Sequence, residues 1–200
     1  MTALFSQDSF RPAVRDNDRI AYVISCMMLV DWYFDRRIDI GKDGTIRARG
    51  RFSADDLNND IDITNFARCP RPAAAWLGYL APHHRSITVV WQRLVNAGVA
   101  APEERGRLRR RPHRALRQVL ASAWAREYLS HNVTATGASM PAVALWNGVR
   151  ALGLDARALE MQEPDVLRQL DATPLSSDLQ PLFDALGGRG RRRAPRRGHP

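Results

Sequence analysis

Between residues 104 and 114 the chain reads ERGRLRRRPHR: six arginines and a histidine in eleven positions, with Glu104 the one acid. Guanidinium groups stay charged at physiological pH and present N–H donors in a planar fork that matches oxyanions, phosphate above all. The chemistry such a run can do is electrostatic capture of an anionic partner, with no bond made or broken. A phospholipid surface and a nucleic acid both present phosphate, and a bare solvated loop is the bland alternative. The residues at issue are Arg105, Arg107, Arg109, Arg110, Arg111 and Arg114.

Catalytic chemistry has much weaker support. The histidines are His83, His84, His113, His131 and His199, and none pairs with another histidine or a cysteine at metal-ligand spacing except the adjacent His83 and His84. Neighbours on one chain cannot readily share an ion. The stretch DDLNNDID lacks the central glycine and closing glutamate of a calcium loop. No nucleophile elbow, phosphate loop or dinucleotide fingerprint occurs, and GGRGRR has neither a strand before it nor a helix after it. The sequence therefore predicts no enzyme, no catalytic residue, no metal site and no cofactor.

Charge is distributed unevenly. Lys42 is the only lysine among 30 basic residues, a skew that fits a GC-rich bacterial genome as well as a need for guanidinium chemistry. Arg105 to Arg117 holds seven arginines and no acid, and the tail after Gly187 holds six more. Without these thirteen the net charge of +9 becomes about −4. The positive charge is thus local, which bears on partners rather than on fold. The apolar stretch Ala21–Phe34 is interrupted by Ser25 and Asp31 and is too short to span a bilayer. The N-terminus lacks the uninterrupted apolar run of a signal peptide. Cys26 and Cys69 offer no disulfide framework. These features together predict a soluble, cytoplasmic chain.

The elements that must position the arginines are mostly helical. Asp16 or Asp18 caps a helix running to about Asp35, so apolar around its circumference that it belongs at the centre of a bundle. RIDIGKDGTIRAR alternates about a Lys-Asp-Gly turn and reads as a β-hairpin. Ser53 to Asp56 resembles a capping box. Pro72 opens a short helix with Trp76, Leu77 and Leu80. A helix follows with Ile87, Val90, Trp91 and Leu94 on one face, and Gly98 stops it. Pro112 opens a helix with Leu116, Val119, Leu120, Ala123 and Trp124. Pro141 opens another, with Leu145, Trp146, Val149 and Leu152, and DVLRQL and DLQPLFDAL supply shorter pieces. The five tryptophans, Trp32, Trp76, Trp91, Trp124 and Trp146, all fall on apolar faces and read as core. The fold class is mainly α, a helical bundle with one or two short β-hairpins. Its parts are a poorly ordered N-terminus at 1–17, a helical domain at 18–186 and a disordered Arg-rich tail at 187–200.

Four segments in order, ISCMMLVDWYFDRRIDIGKDGTI, RPAAAWLGYL, WQRLVNAGVAAPEERGRL and MPAVALWNGVRALGLDARAL, resemble the Golgi phosphoprotein 3-like family over about residues 20 to 160. In that family an apolar helix runs into a Gly-Arg-Ile-type strand, a Leu-Val-x-x-Gly-Val turn precedes a hairpin, and an Ala- and Leu-rich helix closes the bundle. The resemblance implies a bacterial member, of actinobacterial type, of a family of non-enzymatic peripheral membrane proteins. Its eukaryotic relatives bind phosphatidylinositol 4-phosphate and act as adaptors for protein clients. The family's lipid-pocket positions fall here on Asp16, Ser25, His84 and Ile87, none of which matches, while Arg85 lies one position from His84. The apolar hairpin tip of the relatives is replaced by GRLRRRPH.

The resulting expectation is a cytoplasmic protein peripherally attached to anionic phospholipid. Headgroup contacts come from Arg85, Arg105, Arg107, Arg109, Arg110, Arg111 and Arg114, and a protein client is a further partner. The alternative is a winged-helix-like nucleic-acid-binding protein. In that reading SITVVWQRLVNAG would be the recognition helix, yet it offers only Thr88, Gln92, Arg93 and Asn96 to base edges.

Overall fold

Helix α1 (Asn17–Phe34) organises the structure, a computed structural model that describes residues 17–49, 68–82, 85–98, 128–134, 137–151, 153 and 163–190. The capping-box segment at 53–56, the helix expected after Pro112 and Trp124 lie outside the described residues. Asp18 stands in the first turn of α1, where a carboxylate complements the helix dipole. Beyond it Ile20, Ala21, Val23, Ile24, every residue from Cys26 to Val30, and Trp32 are buried. A helix buried on all sides must be wrapped, and four helices pack on it: α2 (Ala73–Leu80), α3 (Arg85–Asn96), α4 (Met140–Ala151) and α6 (Gln180–Gly190).

The end of α1 sets the direction of everything after it. Arg36 N–H donates to Tyr33 O at 3.0 Å and Arg37 N–H to Trp32 O at 2.8 Å. This is the paired bonding of a Schellman stop, whose pivot residue is left-handed. Arg36 fills that pivot with φ 57°, where glycine is the usual occupant. The chain then enters strand β1 (Ile38–Ile40) and returns as β2 (Thr45–Ala48), antiparallel, with Ile38 opposite Ala48 and Ile40 opposite Ile46. Ile38, Ile40 and Ile46 face the core. Gly44, at φ 74°, closes the turn, and the Asp43 carboxylate accepts from Thr45 N–H (3.0 Å) and Thr45 Oγ1 (2.9 Å).

A third strand, β3 (Arg71–Pro72), pairs with β2 through Thr45–Pro72 and Ile46–Arg71. The sequence pattern does not announce it, because two residues carry no periodicity. Pro72 therefore does more than open α2: it ends a strand and caps the helix from outside, at φ −64° and ψ 150°. Trp76 of α2 meets Trp32 of α1 edge to face, with ring centroids 6.1 Å apart.

Helix α3 buries Val90 and Trp91 and stops at Gly98, which is left-handed at φ 72°. Ser86 donates to Ala21 O at 3.1 Å, beside Ser25, which donates to the same carbonyl at 2.7 Å. A second hairpin, β4 (Val133–Thr134) with β5 (Gly137–Ala138), leads into α4. Helix α5 (Pro164–Ala172) covers α4 and this hairpin. Leu129, Ala142, Trp146, Val149 and Leu170 form a separate small core there. Helix α6 continues to Gly190, past the tail boundary expected at 187. The protein is mainly helical, with a small three-stranded antiparallel sheet and a second short hairpin. No helix among the described residues is long and apolar enough to cross a membrane.

Candidate functional site

Six of the seven arginines assigned to headgroup binding, Arg105, Arg107, Arg109, Arg110, Arg111 and Arg114, lie outside the described residues. Arg85 is the first residue of α3. What the structure adds is the frame from which the arginine segment leaves. It departs after Gly98, at the end of α3. The chain is described again from the helical turn at Tyr128, next to the buried Leu129. Asp31 on α1 links the two ends electrostatically. Arg93, in the last turn of α3, lowers the Asp31 pKa against a larger upward push from crowding by protein, and Asp31 in turn raises the pKa of Tyr128 beyond the effect of burial. Asp31 itself remains exposed, so the crowding acts on part of its surface only.

Of the four pocket positions implied by the family resemblance, Ser25 and Ile87 are described. Ser25 has 0% exposure and its hydroxyl is spent on Ala21 O. Ile87 packs half-buried against the main core. Asp16 and His84 lie outside the described residues. No phosphate could reach Ser25 without opening the bundle.

In α3, the helix on which the winged-helix alternative depends, Val90 and Trp91 are buried, Val90 within the main core. Of the polar residues, Gln92 donates to Asn96 at 2.9 Å, a contact within the helix.

Elsewhere, an open cleft of about 610 Å³ lies between the second hairpin and the end of α5, with His131, Asn132, Ser139 and Thr173 on its wall. Its polar groups largely serve one another. Ser139 Oγ donates to Asn132 Oδ1 (3.1 Å), Asn132 Nδ2 donates to Tyr128 O (2.9 Å), and Thr173 Oγ1 donates to Gln169 O (2.7 Å). They set the shape of the hairpin rather than converge on a ligand. Among the described residues no group of three or more His, Cys, Asp or Glu side chains could hold a metal ion.

The surface feature that sequence reasoning missed is the corner after α1. Phe34 is 37% exposed and Tyr128 42%, and these are the exposed large hydrophobic side chains of the described residues. Phe34 stands one helical turn beyond Asp31, the residue that also senses Tyr128. Arg36 and Arg37 follow at once. No glycine or asparagine marks the stop at 36, so the usual signal of a left-handed turn was absent. No family model, curated protein or solved structure matches this chain.

Proposed function

We propose that this is a non-enzymatic, Golgi phosphoprotein 3-like peripheral membrane protein that binds anionic phospholipid through its arginine segment. The observation that carries the reading is the run Arg105 to Arg117, seven arginines without an acid in a chain whose remainder outside the tail is mildly acidic. Basic side chains beside an anionic leaflet contribute roughly 1 kcal/mol each, less after screening, so several together give useful attachment. With Ser25 sealed in the core, the proposed lipid contact is by surface charge, without a phosphoinositide pocket at the family's position. A protein client remains part of the proposal as an adaptor's second partner.

The test is co-sedimentation with neutral and with anionic vesicles at two salt concentrations, with and without competing duplex DNA. The parent is expected to bind anionic vesicles only, more weakly at high salt, and to keep binding in the presence of DNA. Replacing Arg105, Arg107, Arg109, Arg110, Arg111 and Arg114 by serine is expected to weaken binding by more than about tenfold, a conservative fraction of the additive limit. A variant that sediments like the parent would remove the arginine segment from the reading. Loss of vesicle binding to a modest excess of DNA would move the protein to the nucleic-acid alternative, with the steep salt dependence that implies.

A further inference from the structure

The walls of the cleft beside the second hairpin are joined by weak hydrogen bonds. One wall runs from Gly137 through Ser139 to the start of α4, and the other from Ala172 through Pro174 toward α6. Ala138 N–H donates across to Thr173 Oγ1 at 3.5 Å, the limit for such a bond. One step further along each wall, Ser176 N–H donates to the thioether Sδ of Met140 at 3.3 Å. A thioether sulfur is a weak acceptor.

Ser176 is the pivot of its wall. Its carbonyl accepts from Leu179 N–H (3.0 Å) and Gln180 N–H (3.1 Å), and its hydroxyl accepts from Asp178 N–H at 3.4 Å. These bonds shape the turn that opens α6, while the N–H of Ser176 reaches back to Met140. Leu175 and Met140 both pack against the main core. Helix α4 gives Ala142 and Trp146 to the small core, whereas α6 gives Leu182 and Leu186 to the large one. The Met140 sulfur thus ties together two helices whose burial lies in different cores.

That sulfur is also open to chemistry. Of the five methionines, Met28 is sealed and Met27 is 8% exposed, while Met1 and Met161 lie outside the described residues. Met140 is half-buried, within reach of a small oxidant. One lone pair of its sulfur takes the Ser176 N–H, and the other is left to react.

We infer that Met140 is an oxidation-sensitive latch: a hydroperoxide converts it to the sulfoxide, which frees the α5–α6 connection from the start of α4 and loosens the cleft. In that step the peroxide O–O bond breaks and its outer oxygen forms an S–O bond with the free sulfur lone pair. The other oxygen takes the proton and leaves as water or an alcohol. Sulfur loses two electrons and the peroxide gains them. The sulfoxide is polar where the thioether was apolar. Its oxygen turns to water, and the side chain gives up the Ser176 bond. This device is independent of the lipid reading.

The experiment treats the full-length parent, Met140→Leu and Met140→Gln with dilute hydrogen peroxide, and follows peptide masses, amide hydrogen exchange and thermal midpoint. Met140 is expected to oxidise at least about tenfold faster than Met27 and Met28. Exchange across residues 175–179 should rise about tenfold on oxidation, and Tm should fall by about 3 °C. Both should recover when a methionine sulfoxide reductase restores the thioether. Met140→Leu keeps the volume without the acceptor. It should exchange faster than the parent over 175–179 before treatment and be unmoved by peroxide there. Met140→Gln, polar and inert to peroxide, should resemble the oxidised parent. Sulfoxide formed at Met140 with unchanged exchange would overturn the latch and leave a passive oxidation site. A peroxide response over 175–179 that persists in Met140→Leu would place the sensor elsewhere and overturn it as well, as would a Met140 that oxidises no faster than Met27 and Met28.

Discussion

The two hydrophobic cores are built in different ways. The larger gathers around α1 and is almost wholly apolar, with Trp32, Trp76, Met28 and Leu77 sealed from water. Inside it the Ala21 carbonyl accepts from both Ser25 and Ser86. The smaller joins Leu129, Ala142, Trp146, Val149 and Leu170 and is bounded by polar links. Asp171 Oδ1 accepts from Trp146 Nε1 at 2.9 Å and from Arg150 Nη1 at 2.8 Å, tying α5 to α4. One region is held by buried area on a helix that could lie nowhere else. The other buries less, so directional bonds contribute a larger share of its definition.

The strongest way to break this contrast is to empty each core in turn. Trp76→Ala removes a fully buried ring and its edge contact with Trp32, and is expected to cost about 3–5 kcal/mol of unfolding free energy. Leu170→Ala, in the small core, is expected to cost about 2–3 kcal/mol, near the low end for a leucine, because its surroundings are thinner and can close on the space. Urea titrations of both variants measure the difference. If Leu170→Ala costs as much as Trp76→Ala, the second cluster is no satellite and the two cores fold as equals.

A smaller effect separates polar roles. Asp171→Ala strands the Trp146 indole N–H and frees Arg150, and about 1–2 kcal/mol is expected to be lost, mostly from the indole, since the Arg150 pair is solvent-exposed. Ser25→Ala removes a hydrogen bond within the larger core, yet should fall within about 0.5 kcal/mol of the parent. Ser86 and the helix bond still serve the Ala21 carbonyl, and hydroxyl back-bonding adds little to a helix. Equal costs at Asp171 and Ser25 would erase the distinction between a bonded core and a buried one.

The same contrast governs how much could be read from the residues. The large core announces itself through α1, which is largely apolar around its circumference, and through the 3.6-residue spacing of Ile87, Val90 and Trp91. The tryptophan assignments hold for Trp32, Trp76, Trp91 and Trp146, all buried. The first hairpin is legible because Lys-Asp-Gly supplies the turn chemistry that Gly44 then uses. The second is not, since its strands have two residues each and its pairing is fixed by packing against α5. Strand β3 was illegible for the same reason of length. The two helix stops make the point most clearly. Gly98 and Arg36 adopt the same left-handed conformation, at φ 72° and 57°. Gly98 could be read as a stop because glycine is the residue that favours it, whereas Arg36 could be found only in the backbone. The charge of the candidate segment was plain in the composition, but the exposed aromatic corner depends on which side of α1 faces outward, and an all-apolar helix does not say.

The smallest expected effect concerns the turn that covers the larger core, and it is read from pH. The Asp43 carboxyl is held below its usual value, first by the bond from Thr45 N–H and then by that from the Thr45 hydroxyl. A carboxyl whose folded pKa is depressed binds its proton more readily in the unfolded chain. Its contribution is therefore full above the ordinary carboxylate pKa of about 4 and is lost as pH falls through the lower folded value. Urea midpoints of the parent and of Asp43→Ala should consequently differ by a constant amount above about pH 5 and converge below about pH 4. The side chain is fully exposed, so the gap should be small. Persistence of the gap unchanged at the lowest pH would show that Asp43 acts through turn shape, with the charge of its carboxylate contributing nothing to the hairpin over the larger core.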